Sequence, residues 1–233
     1  MHLPWASPMG ATTDTTPPIE LETGSAPEIS IIWLHGLGAD GNDFVPIVQY
    51  LGLAPESAIR FIFPHAEPRP VTINGGMAMR AWYDIFSLDW NGLQDEEGIR
   101  TSQGRIEQMI QNQIAAGIPA ERILLAGFSQ GGAITLQTAL RLDTKLAGVL
   151  ALSTYLPLGS SLPDERSVAN QSTAILMCHG KYDPVVPFEL GETSRDQLLE
   201  LGYSVEWKPY PMGHEVCMEE ITRIGQFIRS ALP

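Results

Sequence analysis

The sequence predicts an α/β fold in which a mostly parallel central sheet carries helices on both faces. Short apolar runs without polar alternation recur along the chain, and such runs are typical of strands buried on both faces of a parallel sheet. Segments with apolar residues at helical spacing lie between these runs, which indicates right-handed crossovers between parallel strands. Hydrophobic residues make up 44% of the 233 residues and charged residues 18%, a balance that allows a large buried core in one domain.

Six apolar runs are predicted to be strands of this sheet. They cover residues 29–34, 59–63, 123–126, 147–152, 173–178 and 203–207. Charged residues alternate in the last run, so we expect it to be more exposed than the others. In an open parallel sheet, ligands bind at the carboxyl ends of the strands. The residues that directly follow these runs are therefore candidates for a functional site.

Three segments are predicted to be helices. Apolar residues recur at helical spacing from Ile99 to Ile114, and Gly117 and a proline then end the helix. Residues 132–140 are apolar almost all round, which predicts a helix buried in the centre of the fold. Residues 216–228 have one apolar face, as expected for a C-terminal helix that packs on the sheet.

The remaining stretches set the limits of the domain. Residues 1–18 are rich in Thr and Pro, and we expect a loosely attached tail there and a single domain over residues 19–233.

Residues 71–98 form a long connection without clear periodicity, which is usually functional or disordered. Its aromatic residues argue against disorder, so it is expected to be an ordered loop over the sheet, the wall of a pocket, or both.

Charge and composition exclude several classes of partner. The formal net charge of -13 argues against nucleic acid, whose phosphates require basic patches. No apolar run approaches the ~20 residues that span a bilayer, so we expect no integral membrane association. Cys178 and Cys217 show neither metal-site spacing nor a disulfide framework. The N-terminus lacks the pattern of a Sec signal peptide. The expectation is a cytoplasmic protein without a metal or cofactor.

One pentapeptide points to a chemistry. Residues 127–131 read Gly-Phe-Ser-Gln-Gly and lie between a predicted strand and a predicted helix. A Gly-x-Ser-x-Gly in that context is the nucleophile elbow of α/β-hydrolases, a tight turn that presents the serine hydroxyl at the top of the sheet. The helix that follows favours developing negative charge at its N-terminus. Because the chain has 22 glycines, the pattern alone could arise by chance, and Ser129 needs partners to be a nucleophile.

The histidine that would activate Ser129 can be found by elimination. The chain contains His2, His35, His65, His179 and His214. A serine nucleophile needs a base within hydrogen-bond reach, and on the α/β-hydrolase fold the order is serine, acid, histidine. The first three histidines precede Ser129, and no acidic residue between Ser129 and His179 directly follows a strand. His214 lies between the last predicted strand and the last helix, and we predict it as the base.

The acid and the oxyanion hole follow from the same placement. Asp183 lies in the turn after the predicted strand 173–178, where its carboxylate would accept the Nδ1 proton of His214. Two N–H groups must stabilise the tetrahedral intermediate, and we assign them to Gln130 at the helix start and Leu37 in a glycine-rich loop after the first strand. His35, in the same loop, is then structural.

These residues carry the resemblance to a known family. The motifs are LHGLGAD at residues 34–40, GFSQGG at 127–132, HGKYDPVVP at 179–187 and GH at 213–214. Together they resemble the phospholipase/carboxylesterase family, which includes bacterial carboxylesterases and eukaryotic acyl-protein thioesterases. Residues 64–66 and 74–84 look closer to the bacterial carboxylesterases. The resemblance implies an α/β-hydrolase fold without a large cap domain, short- to medium-chain carboxylic esters as small-molecule substrates and, often, a weak homodimer.

The expected activity is that of a serine carboxylesterase working through an acyl-enzyme. An acyl-protein thioesterase or a lysophospholipase with the same triad is the alternative, and a non-catalytic binding relative is a more remote one. Several apolar side chains could line the acyl site, although ordinary packing is the competing interpretation for each. They are Met77, Trp82, Phe86, Leu88, Phe128, Val185 and Met212.

Overall fold

The structure is a computed structural model that describes residues 16–54, 57–87 and 92–231. Nine strands lie in this described part of the chain. They are Ile19–Glu22 (β1), Ile29–Leu34 (β2), Ile59–Phe63 (β3), Pro68–Val71 (β4), Met77–Arg80 (β5), Ile123–Phe128 (β6), Gly148–Leu152 (β7), Ile175–Gly180 (β8) and Val205–Tyr210 (β9).

Seven of the described strands form the central sheet, in the order β1-β3-β2-β6-β7-β8-β9. All neighbouring pairs are parallel except β1 and β3, which are antiparallel, with Ile19 opposite Phe63. The registers align the carboxyl ends of the central strands, since Leu34 lies opposite Gly127 and Gly127 opposite Ala151. The predicted mostly parallel sheet is confirmed, and its carboxyl edge is where the candidate residues meet.

Helices cover both faces of the sheet, as the sequence predicts. The described α-helices are Glu96–Ala115 (α1), Gln130–Arg141 (α2), Leu162–Glu165 (α3), Phe188–Glu200 (α4) and Met218–Ala231 (α5). Apolar residues of α1, α2 and α4 pack in the core on one face. Residues of α5 and of a short 3-10 helix, Val45–Tyr50, pack in the core on the other. Residues 130–140 of α2 are all buried, which agrees with their apolar composition.

The chain between β3 and α1 contains structure that the sequence did not indicate. Strands β4 and β5 form a separate antiparallel hairpin whose turn contains Gly75 and Gly76, both with left-handed φ angles of 68° and 77°. The two strands have four residues each, and β4 begins with Pro-Arg-Pro, so no β-branched run marks them. Strand β1 and helix α4 were also not predicted, because β1 is short and the buried residues of α4 are Gly191, Ser194 and Leu198, of which only one is large and apolar.

The described connections between strands of the central sheet contain no large cap domain. Within the described ranges, no helix is long and apolar enough to cross a membrane. No group of three or more His, Cys, Asp and Glu side chains among the described residues is arranged to hold a metal ion.

Candidate active site

Ser129 lies in a strained turn between β6 and α2. Its backbone adopts φ 53° and ψ -121°, a conformation that L-residues rarely take and that persists where the surrounding structure enforces it. The N–H of Ser129 donates to the carbonyl oxygen of Leu152 at 2.8 Å, and the Thr154 hydroxyl donates to the Ser129 carbonyl at 2.7 Å. Gly131 is required because a Cβ there would lie 2.5 Å from the carbonyl oxygen of His35. The turn therefore holds the Ser129 hydroxyl at the carboxyl edge of the sheet.

His214 joins Ser129 to Asp183. Its Nε2 lies 2.9 Å from Ser129 Oγ, and its Nδ1 lies 2.7 Å from Asp183 Oδ2. The ring packs against that of Phe128, with 4.7 Å between centroids. With Nδ1–H donating to the carboxylate, Nε2 is free to accept the Ser129 proton. The imidazole of His214 is thus within hydrogen-bond distance of both Ser129 and Asp183, the two partners expected from the sequence.

Asp183 is held as a carboxylate. Burial acts to raise its pKa, but hydrogen bonds from His214 and from the N–H groups of Val185 and Val186 outweigh burial and lower the pKa below its usual value. Asp183 Oδ1 accepts both N–H groups, at 2.8 and 2.9 Å. The second oxygen, Oδ2, contacts the imidazole of His214. The turn therefore fixes the position of the Asp183 carboxylate independently of His214.

His179 is a neighbour of Asp183 whose supporting role was not predicted from the sequence. It is fully buried, and its Nε2–H donates to the Val186 carbonyl at 3.0 Å while lying 3.6 Å from Asp183 Oδ2. Burial lowers the pKa of His179, so the ring is neutral. His179 therefore supports the turn that carries the acid. Its position directly after a strand and four residues before Asp183 was the available signal.

The assigned oxyanion donors lie on two firmly held segments. The backbone N–H groups of Leu37 and Gln130 donate to no acceptor within the described ranges. The Gln130 side chain is buried and binds the chain after β5, accepting from the Trp82 N–H and donating to the Tyr83 carbonyl, both at 2.8 Å. The loop of Leu37 is attached to the same region, because the Gly38 N–H donates to the Arg80 carbonyl at 2.8 Å.

His35 has a structural role in this arrangement. Its Nδ1–H donates to the Gly36 carbonyl at 2.7 Å, and its Nε2 accepts from the Ala66 N–H at 2.9 Å. Burial lowers the pKa of His35 to about 4, so the ring stays neutral and keeps both hydrogen bonds. The indole N–H of Trp82 donates to the His35 carbonyl at 2.9 Å. His35 thus ties the Leu37 loop to the loop after β3.

A pocket of about 370 Å³ opens at Ser129 and His214. Of the predicted substrate-binding residues, Phe128 and Val185 line this pocket. Trp82 and Met212 are buried, and the indole N–H of Trp82 is bound to the His35 carbonyl.

The other predicted contacts lie elsewhere. Met77 is exposed on β5, and Phe86 is partly exposed beside a smaller cavity that also contains Tyr83 and Tyr155. Leu88 lies outside the described residues. Substrate binding by this set of side chains stays a prediction.

A sequence model of the phospholipase/carboxylesterase family matches residues 20–232. The chain belongs to this family. Family membership confirms the resemblance read from the motifs and identifies the chain as a serine hydrolase.

Curated relatives and solved structures that are similar to this chain cover about nine-tenths of it. The acyl-protein thioesterase 1 of Neurospora crassa is 41% identical over 226 residues, which are 93% of this chain and 92% of the relative. The crystal structure of Arabidopsis thaliana SOBER1 is 33% identical, covers 88% of this chain and 99% of that one, and has a TM-score of 0.84. The Zea mays acyl-protein thioesterase 2 structure is 28% identical, covers 93% and 99%, and has a TM-score of 0.82.

Proposed function

We propose that this protein is a thioesterase that removes acyl groups from S-acylated proteins through an acyl-enzyme on Ser129. The observation that carries hydrolysis is the unbroken chain of hydrogen bonds from Ser129 Oγ through His214 to Asp183, at 2.9 and 2.7 Å. A serine hydroxyl is a weak nucleophile unless a positioned base takes its proton. This geometry supports His214 as the base, with its Nδ1 proton directed at Asp183.

In the first step, Ser129 Oγ attacks the acyl carbonyl carbon while His214 Nε2 accepts the hydroxyl proton. The imidazolium that forms is stabilised by the carboxylate of Asp183. The carbonyl oxygen becomes an oxyanion, and the unpaired N–H groups of Leu37 and Gln130 donate to it. The positive end of α2 adds to this stabilisation.

In the second step, the tetrahedral intermediate collapses and the bond to the leaving sulfur or oxygen breaks. His214 returns its proton to the leaving atom, which departs as a thiol or alcohol. A water molecule then gives a proton to His214 and attacks the acyl-serine carbonyl carbon. In the second collapse the bond between the acyl carbon and Ser129 Oγ breaks, His214 returns its proton to Oγ, and the carboxylic acid is released.

The choice of thioester substrates is supported by the relatives rather than by the triad, which serves esters and thioesters alike. Relatives that are 38–41% identical over about nine-tenths of the chain are named acyl-protein thioesterases. This similarity favours the alternative of the sequence analysis over its main expectation, a carboxylesterase for short- to medium-chain esters. Carboxylic-ester hydrolysis is the second candidate function, since the name of the family includes carboxylesterase.

A matched set of substrates tests the proposal. We would measure kcat/KM for one octanoyl group carried as a peptide thioester, as the corresponding serine ester and as a lysophospholipid. The expected order is thioester first, by at least about tenfold. A preference for the serine ester would make the protein a carboxylesterase, and a preference for the lysophospholipid would make it a lysophospholipase.

The Ser129→Ala variant tests the nucleophile. It should stay folded, lose labelling by a fluorophosphonate probe and lower kcat by about 10⁴- to 10⁶-fold. Ser204→Ala is the matched control, because Ser204 is exposed and precedes β9 at the opposite edge of the sheet. Failure of the wild-type protein to react with the probe would favour the hypothesis of a non-catalytic binding relative. Turnover by folded Ser129→Ala at the wild-type rate would show that Ser129 is not the nucleophile.

A further inference from the structure

A second depression adjoins the pocket at Ser129. It is a groove of about 440 Å³ between the 3-10 helix Val45–Tyr50 and the start of α5. The groove shares Asp43, Phe128 and His214 with the pocket that contains Ser129. The pocket and the groove therefore form one continuous surface, and a molecule bound for reaction at Ser129 can extend into the groove without leaving the protein.

The groove is open to a leaving group that passes His214. His214 has to return a proton to the leaving sulfur or oxygen, so that atom must come within hydrogen-bond distance of His214 Nε2. The groove begins at His214 and continues along the next two residues, Glu215 and Val216. A leaving group that extends from this atom past His214 therefore enters the groove.

The floor of the groove is apolar. Phe44, Ile47, Phe128 and Ile221 line it, and the first two of these belong to the core under the 3-10 helix. At its rim, Tyr50 and Met218 are 53% and 57% exposed. Large apolar side chains that a fold leaves exposed beside a concave apolar surface mark a binding site.

The charge at the groove is negative. Asp43 and Glu215 line it and are exposed, and no Lys or Arg is among the described residues that line it. Neither carboxylate forms an ion pair with any described residue. The net charge of -13 adds to the negative field. A leaving group with a phosphate would be repelled here, whereas a cationic one would be attracted.

We propose that this groove binds the peptide on either side of an S-acylated cysteine and selects peptides that carry both apolar and basic side chains. The apolar floor takes the apolar side chains, and Asp43 and Glu215 pair with the Lys or Arg side chains. The inference rests on the proposed function, because it names the protein substrate of the same site. It makes the groove residues determinants of specificity for the leaving group.

Three S-octanoyl peptides that differ only beside the acylated cysteine test the proposal. One has Leu and Lys there, one has Leu and Glu, and one has Ser and Lys. We expect kcat/KM to be highest for Leu and Lys, about fivefold to tenfold above each of the others, as for one or two exposed ion pairs or one small apolar contact. The advantage over Leu and Glu should shrink between 50 mM and 500 mM NaCl, because salt screens exposed charges.

Variants at the rim assign the preference to the groove. The double variant Asp43→Asn with Glu215→Gln should bring the ratio between the Lys and Glu peptides close to one. The ratio is the readout because any effect of the two charges on His214 acts equally on both peptides. Glu121→Gln with Glu200→Gln is the control pair, since both residues are exposed and lie near the amino ends of strands. It should keep the wild-type ratio.

A second set of variants tests the apolar side chains at the rim of the groove. Tyr50→Ser with Met218→Ser should remove the advantage of Leu over Ser in the peptide, whereas Leu199→Ser, at a residue 47% exposed on α4, should not.

Octanoyl-N-acetylcysteamine, a thioester with a minimal leaving group, separates the role of the groove from the thioesterase activity. Wild-type protein that cleaves it and all three peptides at equal kcat/KM would overturn the role of the groove and leave the thioesterase intact. Failure to cleave any thioester would overturn the proposed function itself. A peptide rate per enzyme that falls as the protein concentration rises would place a second copy of the chain in the groove and would also overturn the proposal.

Discussion

Glu220 should make the stability of this protein depend on pH in a direction opposite to that of most carboxylates. The residue lies in the first turn of α5, six positions after His214, and is fully buried. Burial raises the pKa of Glu220 from 4.5 to about 8, because a carboxylate in this core lacks the solvation it has in water. The substitution Glu220→Gln removes this effect, because glutamine has the shape of the protonated acid and cannot ionise.

The magnitude follows from the two pKa values. Between pH 4.5 and about 8, the folded protein keeps a proton on Glu220 that the unfolded chain has released. The free energy of unfolding then falls as the pH rises, by about 1.4 kcal/mol per pH unit. The whole interval corresponds to ~5 kcal/mol. Below pH 4.5 the contribution is fully present, and above pH 8 it has been lost.

Urea unfolding at a series of pH values from 5 to 9 measures this effect. The difference in the free energy of unfolding between Glu220→Gln and wild type should grow by about 4 kcal/mol from pH 5 to pH 8. A constant offset from the amide does not matter, because only the change with pH is used. Glu219→Gln, at an exposed residue of the same turn, is the control for replacing a carboxylate by an amide in this turn. A Glu220→Gln difference that varied by less than about 0.5 kcal/mol over this range would show that folding does not raise the pKa of Glu220.

Two further predictions concern the site. Gln130→Ala leaves the N–H of Trp82 and the carbonyl of Tyr83 without a buried partner, so the free energy of unfolding should fall by about 2–4 kcal/mol; an unchanged urea midpoint would contradict those contacts. Gly131→Ala places a Cβ 2.5 Å from the His35 carbonyl oxygen and should destabilise the protein by about 3 kcal/mol or more, whereas wild-type thermal stability would show that the elbow can open.

The sequence predicted those parts of the site that depend on local pattern and chain order. Ser129, Asp183 and His214 each follow a strand, and the parallel sheet brings the carboxyl ends of its strands to one edge. The strands themselves were recognisable because burial on both faces requires continuous apolar runs. For the same reason, the strand β7, all of whose residues are buried, was predicted to within one residue.

The contacts between distant segments were not predictable in this way. The side chain of Gln130 meets Trp82 and Tyr83, about 48 positions away, and nothing in the spacing of these residues marks the pairing. Trp82 was expected as a candidate pocket wall, and its contact with His35 depends on the path of the hairpin before it. Such a path is set by turn geometry and long-range packing, which a pattern of apolar residues does not encode.

The attachment of Trp82 and Tyr83 to Gln130 has a consequence for laboratory evolution of this enzyme. The residue that carries one assigned oxyanion donor also holds the chain after β5, so these segments move as one unit. A substitution at the buried Trp82 would disturb the segment that anchors this donor. Met77 and Phe86, at 65% and 43% exposure, take no part in these contacts. Libraries at these two positions can therefore vary the surface of this segment while the Gln130 N–H stays in place.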